Sequence, residues 1–409
     1  MIPRIQLSLA SLHKNNMRIE VITKYFYPVA AGIENNIMQT YSRMGASGHA
    51  VVIHTSADTY TERNSLAPQE NINSLSVKRY PWMWWKGFIP DIQWDTVDVV
   101  ALHNFNIVPH VFILLKVLWD RMRGKKRYAL VVVPHGGFSP EWTVFTKVSA
   151  LIKYIYQYTI GVVLINAAVD GIRAVSPWEA EEMVKRGVRP NIISTITNGL
   201  EDEAYLDVEQ VASAEIRARL QPIGRYIVDV GRIYPIKNVE TILYVLARLD
   251  ADIQYVHVGP CQDPVYEKNL HEQVQALGLQ HRVHFLGVVR GVDKYYVLKH
   301  AELMLHPALW EANANVVHEA WSQGLICVVG DTTGLRPQVI EGQTGYRVAP
   351  RDIEGFVAII NRVLGGQISA DLSRIRERTR LYTQKHSWAF VSEEMVRMYT
   401  SLVQRVQAK

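Results

Sequence analysis

The 409-residue chain carries 44 Lys and Arg against 39 Asp and Glu, a formal net charge of +5, and 48% apolar residues. This excludes a disordered chain and is enough length for two separately cored domains. The mild basicity suits an anionic partner such as a nucleotide diphosphate, a lipid phosphate or a membrane surface, and no motif supports nucleic-acid binding.

Residues 1–16 hold one Arg, a short apolar stretch and no clear small-residue cleavage site, so a disordered leader is expected rather than a signal peptide. From there, short apolar runs alternate with amphipathic stretches, the pattern of parallel sheets built from right-handed crossovers. Strands are expected at 18–23, 51–55, 97–102, 128–133 and 171–175, with a helix over 33–44. The apolar run 158–168 is too short to cross a bilayer. Asn198-Gly199 is a turn signal at a boundary. The same grammar restarts with a strand at 226–230, a helix at 241–249, strands at 254–258, 283–286 and 303–305, and a helix beginning near Asn313. Two Rossmann-like domains, 17–200 and 223–385, are therefore expected, with 201–222 as linker and 386–409 as a terminal helix. Cys261 and Cys327 lack metal-site spacing and fit a reducing compartment, and both are expected to be buried and inert.

The most informative segment is Trp310-Glu311-Ala-Asn-Ala-Asn-Val-Val-His-Glu319-Ala320. It places Glu311 at the mouth of a helix and Glu319 about two turns inside it. Such a mouth is positively polarised by unpaired backbone N–H groups and suits a diphosphate. Upstream, Gly231-Arg232-Ile-Tyr-Pro-Ile-Lys237-Asn238 follows the first strand of the second domain, where open parallel sheets place their ligands. Arg232 offers a planar fork and Lys237 a compact charge for phosphate oxygens. In the first domain, Pro28-Val-Ala-Ala-Gly32-Ile-Glu34 joins the first strand to the first helix, while His103 and His135 each end a strand, the latter entering a glycine-rich turn.

Taken in this order, the motifs resemble the family 4 retaining glycosyltransferases over most of the chain. The resemblance implies a GT-B architecture: two Rossmann-like α/β domains facing across a cleft, with the C-terminal helix crossing back to the first. It implies transfer of a sugar from a nucleotide diphosphate, UDP or GDP, to a hydroxyl acceptor on a glycan, a glycolipid or a lipid-linked saccharide. Retention of configuration is implied by the family alone.

By the same resemblance, Glu311 and His135 are catalytic candidates beside the donor sugar. Arg232, Lys237 and Gly32 are assigned to the diphosphate and Glu319 to the ribose. Backbone groups of Asn313, Ala314, Asn315 and Val316 are assigned to sugar hydroxyls, and Gly259, Val288 and Val289 to the base. The chain departs from the pattern in two places: Ala31 replaces the first of two glycines, and Gln338 stands where an acidic residue is more usual.

His103 and the aromatic loop of Trp82, Trp84 and Trp85, with the basic run 121–127 nearby, are acceptor-side candidates that could meet a membrane surface. A cytoplasmic enzyme is the expectation; attachment at the inner face of the membrane and a packed aromatic loop with a solvated helix end are the two readings these segments leave open. The literal Asp250-Ala-Asp252 reads as a solvated turn, and no metal or other cofactor is expected. Two rivals stay open: a catalytically silent nucleotide-sugar-binding scaffold subunit and a nucleotide-sugar 2-epimerase.

Overall fold

The computed structural model describes residues 16–29, 32–59, 61–83, 86–104, 108–136 and 147–408. They fall into two compact units. The first takes the chain up to Val133, Leu164–Ile172 and the chain from Met395 onward; the second takes Pro134–Val163 and Arg173–Glu394. The leader residues 1–15 and Ala31, Trp84 and Trp85 lie outside the described residues.

In chain order the elements begin with β1 (Arg18–Ile22), α1 (Gly32–Ala46), β2 (Ala50–Ser56), β3 (Gln69–Ile72), β4 (Leu75–Tyr80), β5 (Val99–His103), α2 (Val108–Met122) and β6 (Ala129–Val133). There follow α3 (Lys147–Tyr156), α4 (Val162–Ala168), β7 (Gly171–Ala174), α5 (Pro177–Lys185) and β8 (Ile193–Thr195). The strands of this sheet run in the order β3-β4-β2-β1-β5-β6-β7-β8. All the register-defined pairs are parallel except the β3–β4 hairpin. β7 straddles the division: Gly171 and Ile172 pair with β6 in the first unit, and Ala174 accepts a backbone hydrogen bond from Ile196 in the second.

Both faces of β5 and β6 are buried, which is why these strands read as unbroken apolar runs rather than alternating ones. Among the buried polar side chains of the first unit, Glu20 Oε2 lies 2.6 Å from His54 Nε2, and His54 Nδ1 lies 2.8 Å from the Tyr80 hydroxyl.

The second unit continues with α6 (Val208–Val211), α7 (Ala214–Leu220), β9 (Tyr226–Val230), α8 (Val239–Leu246), β10 (Gln254–Val258), α9 (Pro264–Ala276), β11 (Val283–Phe285) and α10 (Gly291–Lys299). It closes with β12 (Leu303–His306), α11 (Asn315–Ser322), β13 (Cys327–Gly330), β14 (Tyr346–Val348), α12 (Ile353–Leu364) and α13 (Ser369–Thr383), before α14 (Trp388–Gln407). Its six strands are parallel in the order β11-β10-β9-β12-β13-β14.

Side-chain alternation along the strands supplies two cores. Tyr226, Val228, Val256 and Met304 join one cluster with residues of α10 and α11, while Ile227, Tyr255, Leu303 and Leu305 join another with residues of α8, α9 and α12. The strand order reverses between β9 and β12. In a doubly wound sheet, that switch point is where a crevice opens beyond the carboxyl ends of the strands.

Cys327 is buried as expected, but Cys261 is exposed. It lies in the loop after β10, not in a strand. Partial desolvation and the Glu267 carboxylate push its thiol up to about 11, so it stays protonated.

Candidate functional site

At the switch point of the second unit, four charged groups line up. Asp229 near the end of β9 and His306 at the end of β12 are both fully buried, with Asp229 Oδ1 2.8 Å from His306 Nδ1. The other ring nitrogen of His306 lies 3.2 Å from Glu311 Oε1, and Lys237 Nζ donates to the same oxygen. Burial would by itself lower the His306 pKa, but Asp229 and Glu311 reverse this and raise it. Burial likewise works against ionising Glu311, yet Lys237 and His306 hold its carboxyl down to about 2. Glu311 is therefore a fixed anion supported by two cationic groups, and it has no proton to give near neutral pH.

Local sequence explains how Lys237 is aimed. A short turn, Pro235–Lys237, ends at Asn238, which takes a left-handed conformation with φ of 58°. Asn tolerates that region better than most residues. Its Nδ2 donates to the carbonyls of Pro307 at 2.9 Å and Pro350 at 2.7 Å, tying the turn to the loops after β12 and β14. Arg232, from the same connection, is exposed and donates to Gln262 Oε1 at 2.5 Å. Of the two sequence-assigned cations, Lys237 joins the buried charges and Arg232 stands apart from them.

Helix α11 starts at Asn315, two residues later than the sequence suggests, and no side chain caps it. The loop before it is braced from two sides. Gln338 Oε1 accepts from the Ala314 N–H at 3.0 Å, and Gln338 Nε2 donates to the Ala314 carbonyl at 2.8 Å. The Ala314 amide is thus already engaged, which corrects its assignment as a sugar-hydroxyl donor and gives Gln338 a role that its departure from the acidic pattern had obscured. Asn315 Oδ1 accepts from Asn198 Nδ2 at 3.0 Å and Asn313 Nδ2 at 3.2 Å. Val316 is partly buried against the core. Gly334 closes the other side: a Cβ there would lie 1.6 Å from the Glu311 carbonyl oxygen.

One helical stretch further on, Glu319 Oε1 lies 3.1 Å from Lys294 Nζ, which also holds Glu201 Oε2 at 3.0 Å. Glu319 Oε2 is buried with no hydrogen-bond partner among the described residues. Gly259, Val288 and Val289 gather near the ends of β10 and β11, where the Gly259 N–H donates to Gly287 O at 2.8 Å; Val288 is exposed and Val289 packs on the core.

His135 belongs to this unit as well. It has φ of 53°, and burial and the Arg173 guanidinium push its pKa down to about 3, so its imidazole is neutral near neutral pH. The following Gly136 comes so close to the site loop that a Cβ on it would lie 2.8 Å from Ala312 Cβ. The Gly136 N–H donates to Glu179 Oε1, while Glu179 Oε2 accepts from Val175 N at 2.8 Å. Burial raises the Glu179 pKa to about 7 against the pull of those amides and Arg173. Ser176 caps α5 and donates to the Ala312 carbonyl at 3.2 Å.

In the first unit, Gly32 opens α1, is exposed, and would carry a Cβ into open space. His103 requires a correction: it is fully buried, edge-on to Tyr41 and 3.0 Å from the Tyr41 hydroxyl, and so faces the protein core rather than an acceptor. Trp82 is half-buried against Phe88, with the Lys24 ammonium 4.8 Å from its ring centroid. It braces its own loop.

Sequence reasoning missed Asp229, His306, Lys294 and Glu179. The signals available were ionisable residues inside or at the end of apolar strands for the first two, and the Ser176-Pro-Trp-Glu179 capping pattern for the last. Lys294 left no such signal. Among the described residues no group of His, Cys, Asp and Glu is arranged to hold a metal ion, and no helix is long and apolar enough to cross a membrane. Asp252 of the literal Asp-x-Asp pairs with Arg225 at 2.8 Å.

Two family models match consecutive parts of the chain: Glycosyltransferase Family 4 over residues 30–204 and Glycosyl transferases group 1 over residues 215–382. The chain is 23% identical over 400 residues to the GPI3 subunit of phosphatidylinositol N-acetylglucosaminyltransferase from Saccharomyces cerevisiae, covering 94% of this chain and 83% of that one. It is 23% identical over 415 residues to glycogen synthase from Mycobacterium tuberculosis, covering 94% of each. Among solved structures, Anabaena HepE in complex with UDP matches with a TM-score of 0.72 at 18% identity, over 94% of this chain and 100% of that one. Sucrose-phosphate synthase from Thermosynechococcus elongatus matches with a TM-score of 0.71 at 18% identity, over 95% and 100%.

Proposed function

Because the chain belongs to the family 4 glycosyltransferases, with the GT-B fold, we propose that it transfers a sugar from a nucleotide diphosphate to a hydroxyl of a glycan, glycolipid or lipid-linked saccharide, with retention of configuration. The observation that carries this reading is the Asp229–His306–Glu311–Lys237 chain at the switch point of the second unit.

In this proposal the departing diphosphate meets Lys237, the first-turn amides of α11 and the Arg232 guanidinium. These preorganised positive groups act where negative charge grows. Glu311, held ionised, faces positive charge developing at the anomeric carbon as the bond to the leaving oxygen lengthens. The acceptor hydroxyl enters on the face the diphosphate leaves and passes its proton to a departing phosphate oxygen. Neutral His135 and the braced loop 310–315 position the sugar, and the unpartnered Glu319 oxygen accepts from a ribose hydroxyl. The fold relative HepE, solved in complex with UDP, supports a uridine donor, and a relative named as a phosphatidylinositol N-acetylglucosaminyltransferase subunit supports a lipid acceptor.

Thermal shift against a panel of nucleotides and nucleotide sugars, with wild type, Glu319→Ala and Arg232→Ala, tests the donor site. Stabilisation by one nucleotide that is lost in both variants is expected. No shift with any nucleotide would remove the central support, and isomerised donor released without acceptor would instead favour epimerase chemistry.

A further inference from the structure

Helix α2 in the first unit is apolar on two faces. Ile113, Leu114 and Val117 are buried against the sheet, as a helix covering a parallel sheet requires. The opposite face carries Phe112, Leu115, Trp119 and Met122, exposed by 49%, 50%, 54% and 74%. Their i, i+3, i+7, i+10 spacing puts them on one stripe. Scattered exposed apolar side chains need no explanation, but four large ones on one helical stripe mark a contact surface.

The charges around the stripe indicate what it contacts. Lys116 is neutralised by Asp120 and Arg121 by Asp170. Beyond them, Arg123, Lys125 and Arg127 are exposed at and just past the helix end, and the Arg123 guanidinium rests 5.5 Å from the Trp119 ring centroid. An indole and a thioether flanked by cations are what an interfacial helix presents to a bilayer: the apolar side chains enter the acyl boundary and the cations stay at the phosphates. A protein partner of ordinary composition would supply no such sheet of anionic groups above an apolar layer.

We propose that the outer face of α2 docks this chain on an anionic lipid bilayer, with Trp119 and Met122 inserted and Arg123, Lys125 and Arg127 on lipid phosphates. In the aromatic loop 80–90, Phe88 is buried and Trp82 is packed against it, while Trp84 and Trp85 lie outside the described residues. The inference is independent of the donor chemistry, because it is read without donor or acceptor.

The test is flotation of the full chain with phosphatidylcholine vesicles enriched in phosphatidylglycerol, and with phosphatidylcholine alone. Wild type is expected to float with the anionic vesicles and to be released by high salt. The double variants Trp119→Ser/Met122→Ser and Arg123→Glu/Lys125→Glu should each bind about tenfold more weakly, with thermal melts matching wild type. Three results would overturn the proposal: no binding by wild type, undiminished binding by the apolar double variant, or a wild-type dimer that this variant converts to monomer, which would make the face a contact with a second copy.

Discussion

Lys294 Nζ lies 3.1 Å from Glu319 Oε1 and 3.0 Å from Glu201 Oε2, so one ammonium fixes two carboxylates while the second oxygen of Glu319 has no hydrogen-bond partner among the described residues. This arrangement presets the Glu319 side chain before any ligand arrives. Replacing Lys294 with Met leaves two partly buried carboxylates facing each other and should cost about 2–3 kcal/mol in urea unfolding. It should also weaken nucleotide affinity about tenfold, since Glu319 must then be ordered by the ligand. Lys294→Arg should recover most of the affinity. Unchanged affinity in Lys294→Met would show that the pairing serves stability alone.

The depressed pKa of Glu311 has a stability signature. Its carboxyl is held near 2 in the folded chain against 4.5 as a reference, so folding is favoured by its ionisation above pH 4.5 and that contribution fades as the pH falls through 2. At about 1.4 kcal/mol per unit the contribution is about 3 kcal/mol. Chemical unfolding followed from pH 5 to pH 2.5 should lose less stability in Glu311→Gln than in wild type. Parallel curves would mean that Lys237 and His306 do not hold the carboxylate in solution.

Gly334 leaves no room for a side chain, because the added Cβ would meet the Glu311 carbonyl oxygen at 1.6 Å. The obstacle is backbone, so the loop carrying Glu311 must move. Gly334→Ala should destabilise by about 1–3 kcal/mol and lower kcat/KM by about 100-fold through misplacement of the carboxylate. A variant with wild-type turnover would show that the loop gives way without consequence.

Gln338 recognises the Ala314 peptide with both ends of its amide. Gln338→Glu keeps the acceptor but turns the donor into a second carboxylate oxygen facing a carbonyl. A loss of about 1–3 kcal/mol follows from that mismatch, with KM for the donor rising and kcat less affected. The measurement is steady-state kinetics across donor concentrations, and a Glu variant as good as wild type would remove the amide's braced-loop role.

Most strands buried on both faces were legible as continuous apolar runs, but β13, Cys327–Gly330, is buried throughout and was missed because its short apolar run follows α11 directly. Tyr226–Val230 and Gln254–Val258 coincide with β9 and β10, and the repeated strand-to-helix grammar gave two Rossmann-like sheets. The β3–β4 hairpin escaped because Gln69–Ile72 is polar and only partly buried, so it carries no apolar signal. In the site, the motif residues Lys237 and Glu311 were visible as a spacing, and the structure brings them into one ion pair. The residues that set their charge were not: Asp229 sits in an apolar strand and His306 at the end of another, and their meeting depends on β9 lying beside β12. Lys294 reaches Glu319 only through the packing of α10 against α11. Long-range pairings of this kind leave no local periodicity. His103 shows the opposite error, since a strand-end position suggested an accessible ring and the packing of Tyr41 encloses it.

In the first unit, the Tyr41 hydroxyl bonds both to His103 and, at 2.7 Å, to the hydroxyl of Tyr399 on α14. Residues on either side of Tyr399, Met395 and Leu402, are likewise buried within that unit. During synthesis, β1 through β6 emerge long before these partners do. The larger segment of the second unit, Arg173–Glu394, can leave the ribosome and fold while the earlier sheet still exposes a gap over Tyr41 and Gly171, where Leu402 will later pack. The nascent chain thus carries an unfinished core in its first unit until α14 has emerged, and truncation near residue 394 would damage the fold around β1 and β5 rather than the unit that precedes the cut.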